Sequence, residues 1–335
     1  MPAGVFKETY LEDMALLRYP LHKVSLVAGL AIALLLPFML GSYGVDQAIA
    51  LLVFFTGAMG LNIVTGLAGQ ISLAQGALMG VGAYTVAHLA LHGVNVLVAI
   101  PLGAFMAAAV GFVLGLPSFR LKGYYLAMAS IAAQAILEYV FKTWIDPGQG
   151  ISIPRSTKMV AGMYLGRGLA LYYLVLGVTA AAALLAANIG RSSVGRAMKA
   201  VRDNDVSASV VGISVARTKA LAFVLGSLYA GLAGGLYVLA NPSIGWDAFT
   251  LDTSIEYLAM VLVGGPGRLV WGSLLGALTI HTGWSLLAGA FAANAALKYI
   301  VLGGLIAFFV VLEPEGLIGV LRRVKEYFRL WPFRY

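Results

Sequence analysis

Residues 47–119 contain no Lys, Arg, Asp or Glu. At about 1.5 Å of rise per residue, a helix through that run crosses a ~30 Å hydrocarbon layer roughly three times. In water so long a charge-free stretch has no solvated face, so the run demands a bilayer. Its middle, LNIVTGLAGQISLAQGALMGVGAYT at residues 61–85, carries glycines and uncharged polar side chains where lipid-facing Leu and Val are expected. A helix that breaks inside a membrane and offers amides and hydroxyls there usually lines a path rather than only filling a bundle.

The rest of the chain agrees with a membrane setting. It is 61% hydrophobic and 11% charged, which excludes an ordinary soluble domain. The apolar stretches are long and do not alternate with period two, which argues against a barrel. With no cysteine, a disulfide framework, a thiolate metal site and a cysteine nucleophile are excluded. The formal charge of +8 fits Lys and Arg gathered in cytoplasmic loops better than a nucleic-acid partner.

Apolar length places about ten segments, with eight to eleven compatible: 24–43, 47–65, 71–91, 94–116, 123–142, 168–189, 219–240, 254–264, 270–287 and 296–312. The eighth is short, ends in the breaker GGPGR at 264–268, and reads as a half-helix or re-entrant element. Residues 1–23 lack a cleavable signal pattern. Phe6, Tyr10, Met14 and Leu17 recur there at helical spacing, as in an amphipathic helix on the membrane surface. Residues 24–313 then form the transmembrane domain and 314–335 a basic tail. The loop 191–219 holds Arg191, Arg196, Lys199, Arg202, Arg217 and Lys219, whereas 241–253 has neither Lys nor Arg. That asymmetry puts the loop and both termini in the cytoplasm, against the contrary pull of Arg155, Lys158 and Arg167.

Chemistry concentrates in two stretches. Around the break, Asn62, Thr65, Gln70, Ser72 and Gln75 supply neutral donors and acceptors beside Gly66 and Gly69. They suit a path for a small polar or zwitterionic solute, with a helix start turned toward a carboxylate. They equally suit interhelical hydrogen bonding with close glycine packing. In 191–219, Ser192 or Ser193 can cap one short helix and Asp205 a second, closed by Gly212. This pair reads as a docking knob for a cytoplasmic partner or as an amphipathic element on anionic lipid. The stripes Gly226/Ala230/Gly234, Ser227/Gly231/Gly235 and Gly272/Gly276 read as tight packing.

Several functions lose ground. Glu138, Glu256 and Lys298 lie near predicted span ends, so the mid-membrane carboxylate usual in an ion-coupled carrier is missing. His88, His92 and His281 are scattered without metal-ligand spacing. No nucleophile or acid/base constellation stands out, so no catalytic residue is expected. No GxxxxGK[ST] loop exists, so any ATP must be bound and hydrolysed by another polypeptide.

Four stretches together resemble the permease subunits of branched-chain amino acid ABC importers, closer to the LivM-like subunit than to its partner permease. They are GLNIVTGLAGQISLAQGALMGVGAYT at 60–85, KGYYLAMASIA at 122–132, GRSSVGRAMKAVRDNDVSASVVGISVARTKALAFVLGSLYAGLAGGLY at 190–237, and SIEYLAMVLVGGPGRLVWGSLLGA at 254–277. The resemblance spans about residues 47–316. It implies an all-α, polytopic, non-catalytic subunit with broken helices in a prokaryotic plasma membrane. It also implies a second related permease, two cytoplasmic ATPases, an extracytoplasmic solute-binding protein, and no cofactor on this chain. Gly195, Arg196, Arg202, Asp203, Asp205 and Gly212 fall in what resembles the ATPase coupling loop. Asn62, Thr65, Gly66, Gly69, Gln70, Ser72 and Gln75 fall beside the implied path. The expected solute is a branched-chain or other hydrophobic amino acid. The alternatives are another small amide or carboxylate solute, or an ion-coupled carrier.

Overall fold

The computed structural model describes residues 20–119, 121, 123–147, 150–160, 163–164, 168–285 and 295–330. The fold is all-α: helices run the length of the described chain, joined by short turns and four two-residue strands. The expected surface helix over 1–23 lies outside the described residues except for its last four, which begin the first helix.

The described residues up to Gln47 belong to a unit of their own. Its described part is α1, Pro20–Met39, followed by the start of α2, Ser42–Leu61. Ile32, Leu35, Phe38 and Met39 stand exposed on α1, as lipid-facing side chains do.

The larger unit, from Ala48 on, holds everything else. After α2 the helix widens into a π-turn at Asn62–Leu67 and stops. An extended stretch leads to α3, Gln75–Leu91, and then α4, Val96–Gly115. Next come α5, Tyr124–Val140, which widens at Phe141–Ile145, and α6, Leu169–Arg191. Two short helices, α7 (Ser193–Asp203) and α8 (Asp205–Val210), precede the long α9, Val215–Ala240. The chain continues as α10 (Leu251–Gly264), α11 (Trp271–Ala277, widening at Leu278–Thr282), α12 (Ala295–Leu312) and α13 (Gly316–Leu330).

A helix stands at each of the ten expected places. Five, Ser42–Leu67, Val96–Gly115, Tyr124–Ile145, Leu169–Arg191 and Val215–Ala240, are long and apolar enough to cross a membrane unaided. The pair Tyr299–Leu312 and Gly316–Tyr327, bent by 49°, makes a sixth if taken as one span. Others are short because they are broken. α10 has 14 residues, about 21 Å of helix, and needs its neighbours to complete a crossing.

α9 packs against α3 and α4 at the centre. Its small residues make that possible. A Cβ on Gly231 would overlap Ala107, and one on Gly234 would overlap the Met79 carbonyl. Opposite them, Gly82 meets the backbone of Gly231. Lipid tails are as apolar as Leu, so close backbone approach, rather than exclusion of water, holds such helices together. The expected packing role of these stripes is what the structure shows. The same logic builds a hairpin of α10 and α11, where Gly264 faces the Gly272 carbonyl and Gly276 the Met260 carbonyl.

At the end of the bundle opposite α7 and α8, Ile151–Ser152 pairs antiparallel with Ser243–Ile244. The buried Lys158 locks the same loop down. Its Nζ donates to the carbonyls of Val238 (2.9 Å), Leu239 (3.1 Å) and Asn241 (2.7 Å). A cation there meets the negative end of α9 and satisfies carbonyls that the helix leaves unpaired. Burial lowers its pKa to about 8, which keeps it mostly protonated at neutral pH, with all three hydrogens placed.

Candidate functional site

Two helix breaks meet at one end of the bundle. The first follows the π-turn Asn62–Leu67. The second is the Gly264–Arg268 turn between α10 and α11. Asn62 joins them. Its Nδ2 donates to the Arg268 carbonyl (3.2 Å) and to Ser273 Oγ (3.0 Å), and its Oδ1 accepts from Gly267 N (2.8 Å). The side chain is fully buried, so these bonds form away from competing solvent. Gly66 lies in the same contact: a Cβ there would overlap Asn62 Oδ1 and Gly267 N.

Past the break, residues 68–74 are not helical. Their backbone is held internally: Gln70 N donates to the Val64 carbonyl (3.0 Å) and Leu73 N to Ser130 Oγ (2.9 Å). Buried non-helical backbone persists when its polar groups are satisfied this way. Thr65 Oγ1 donates to the Gln70 carbonyl at 3.1 Å, tying the two sides of the turn. Gly69 supplies the positive φ of 67° that the turn requires.

Exposure then alternates along the extended stretch. Gln70 (4% exposed) and Ser72 point inward, whereas Gly69 and Ile71 (44%) are exposed and Leu73 is half-buried. The break therefore presents an apolar face outward and its polar side chains inward. Neither amide atom of the buried Gln70 has a hydrogen-bond partner among the described residues.

The start of α3 is occupied by the protein itself. Gly76 N donates to Ser254 Oγ (2.8 Å) and Ala77 N to Gln134 Oε1 (2.8 Å). Ser254 Oγ donates in turn to Gln134 Oε1 (3.0 Å), and Gln134 Nε2 to the Phe249 carbonyl (2.8 Å). Gln75 Nε2 reaches the Gly57 carbonyl at 2.8 Å. In this conformation Gly76 N and Ala77 N are not free for a solute carboxylate, contrary to the expectation for this helix start. Gln134, Ser130, Ser254 and Ser273 were not among the expected residues. Ser130 and Gln134 carry a local signal, since they lie four apart on α5 and continue to Glu138 and Lys142.

The 191–219 stretch forms the expected helix pair. Ser192 caps α7 by accepting from Gly195 N (3.2 Å). The second cap falls one residue earlier than expected: Asn204 Oδ1, not Asp205, accepts from Val206 N (2.9 Å) and Ser207 N (3.1 Å). Asp205 instead pairs with the buried Lys219 at 2.9 Å, fastening α8 to α9. Gly195 is buried where a Cβ would overlap the Ile189 carbonyl. Arg196 Nη1 donates to the Arg191 carbonyl (2.8 Å), and Asp203 is exposed. Gly212, at φ 87°, ends the motif.

Arg202 brings the two stretches together. Its Nη1 donates to the Gly66 carbonyl at 2.5 Å. The same side chain lies where Cβ atoms on Gly69 and Gly267 would stand. One residue of α7 thus touches both breaks. The start of α13 touches the second as well, because Gly316 leaves no room for a side chain against Gly265. Among the described residues no group of His, Asp and Glu could hold a metal ion.

Residues 44–310 match the family described as branched-chain amino acid transport system / permease component. The chain is 29% identical over 327 residues to the high-affinity branched-chain amino acid transport system permease protein LivM of Escherichia coli K12, covering 90% of this chain and 76% of that one. It is 29% identical to the ribose import permease protein RbsC of Bacillus subtilis 168, over 67% and 70% of the two chains. It is 25% identical to the branched-chain amino acid permease LivH of E. coli K12, over 78% and 90%. No solved structure matches it.

Proposed function

The chain belongs to the branched-chain amino acid transport system permease family, and on that premise we propose that it is one of two permeases in an ATP-driven importer for branched-chain or other hydrophobic amino acids. The observation that carries the coupling is the reach of Arg202 from α7 to the Gly66 carbonyl. A surface helix pair that grips both helix breaks can convert movement outside the bilayer into movement within it.

In this reading α7 and α8 face the cytoplasm of a prokaryotic cell, as their Lys and Arg content suggests. Val206, Val210 and Val211 are 68–82% exposed on and just after α8. Such an apolar knob, rimmed by charge, suits a groove on an ATPase subunit. Closure of two ATPases around ATP pushes on that knob. The Asp205–Lys219 pair passes the push to α9, and Arg202 passes it to the breaks. The face bearing Gly69, Ile71 and Leu73 then opens alternately to the two sides. Substrate arrives from a solute-binding protein outside, and this chain performs no bond chemistry and needs no cofactor. A second permease fits because two distinct permeases, LivM and LivH, carry the name of one transport system in E. coli and both resemble this chain. A likeness to a ribose import permease keeps a different small solute as the second reading.

The test is uptake of L-leucine into proteoliposomes holding the assembled importer. The Arg202→Ala variant is expected to retain its ATPases on purification but to lose about tenfold or more in leucine moved per ATP, as loss of a charged hydrogen bond implies. Unaltered coupling overturns the role of Arg202. ATP-independent uptake by the chain alone overturns the importer reading in favour of an ion-coupled carrier.

A further inference from the structure

α5 carries a polar stripe of Ser130, Gln134, Glu138 and Lys142 at four-residue spacing. Ser130 and Gln134 are buried and bonded to the region of the first break. Glu138 and Lys142 continue the stripe on the next two turns, away from the break. There the helix opens into a groove of about 380 Å³, within the ~300–1,000 Å³ that small-molecule sites occupy. Ile131, Ala135, Tyr139 and Leu251 supply apolar walls, with Gln134, Glu138 and Lys142 along them.

The charges are arranged in an informative way. Glu and Lys four residues apart on a helix ordinarily pair with each other. Here they do not: Glu138 has no ion pair among the described residues, and Lys142 lies over the Trp246 ring, 4.7 Å from its centroid. The π-turn at Phe141–Ile145 begins between them, widening the helix at the point where the pair would close. Widened turns of this kind recur at functional sites. Glu138 and Lys142 so held place opposite charges one turn apart beside apolar walls. They suit an occupant carrying both opposite charges and an apolar body.

We propose that this groove is a transit site for a zwitterionic α-amino acid with an apolar side chain. Its ammonium pairs with Glu138, its carboxylate with Lys142, and its side chain lies against Ile131, Ala135, Tyr139 and Leu251. The proposal rests on the transport reading above and adds to it a substrate-contacting site on α5, apart from the inward-turned polar groups of the break. The groove adjoins the start of α3 through Gln134, whose Oε1 accepts from both Ala77 N and Ser254 Oγ. An occupant there leans on the same residue that caps the broken helix.

The experiment uses the complete importer in proteoliposomes with L-leucine as probe, recording uptake and ATP hydrolysis together. Glu138→Gln and Lys142→Met are each expected to cut leucine uptake about tenfold or more, the scale of one lost charge-assisted contact. Stimulated ATP hydrolysis stays near the wild-type rate, and Lys142→Arg restores most of the uptake. A merely structural role would lower assembly and hydrolysis in step with uptake. Should a charge variant fail to assemble, Ala135→Phe decides the matter, since Ala135 is exposed and a ring there fills the groove. Wild-type uptake with unaltered transport in these variants overturns the groove alone. A wild-type importer that carries no apolar amino acid overturns the transport reading and this site with it.

Discussion

Gln70 sits buried with neither amide atom bonded among the described residues, whereas Asn62, eight residues earlier, bonds through both its Nδ2 and its Oδ1. The contrast assigns them different work. Asn62 is a fastener between two turns. Gln70 is kept polar at a cost in this conformation, which is reasonable if another conformation bonds it. Replacing it with Leu removes two unsatisfied buried groups at similar volume and is expected to stabilise this state by about 1–3 kcal/mol. The apparent unfolding temperature of Gln70→Leu in detergent therefore rises, while ATP-driven uptake by the assembled importer falls. A lowered midpoint in scanning fluorimetry, or normal uptake, contradicts that role.

Among the elements, the loop that closes the end opposite α7 depends on Lys158. Its three carbonyl bonds hold a strand pair against the last turn of α9. A charged contact of this kind is worth about 1.5–3 kcal/mol. Lys158→Met is therefore expected to raise proteinase K cleavage within residues 150–164 by at least about tenfold, measured on the protein in nanodiscs. Cleavage at the wild-type rate removes Lys158 as the anchor. Much of the element order was legible beforehand, because charge-free runs and Gly-Pro breakers are local signals. The two breaks at Gly66–Gly69 and Gly264–Arg268 were visible for that reason. The capping of α3 by Gln134 and Ser254 was not. Those bonds join residues 57 and 178 apart in sequence, and only the packing of whole helices decides which side chain reaches an open helix start. The cap of α8 moved from Asp205 to Asn204 for a similar reason: either residue can cap, and the distant Lys219 claims the aspartate.

At the level of the molecule, the orientation inferred from loop charge has a direct test, because the chain has no cysteine of its own. A single cysteine at Val210 is expected to react with a membrane-impermeant maleimide only in inside-out vesicles. One at Ser243, exposed at the opposite end, is expected to react only from the outside of intact cells. The reverse pattern inverts the proposed orientation and removes the ATPases from α8. Both breaks, the surface helix pair and the start of α13 converge at a single end, so a force applied there reaches both breaks at once.

The inward turn of Gln70 and Ser72 has one more outcome. On the face bearing Gly69, Ile71 and Leu73 no polar side chain stands outward. A greasy amino acid side chain loses nothing at the same surface. In the proposed importer, the alternation from Ala68 to Ala74 thus sets an apolar wall, rather than a row of amides and hydroxyls, where an apolar solute would pass.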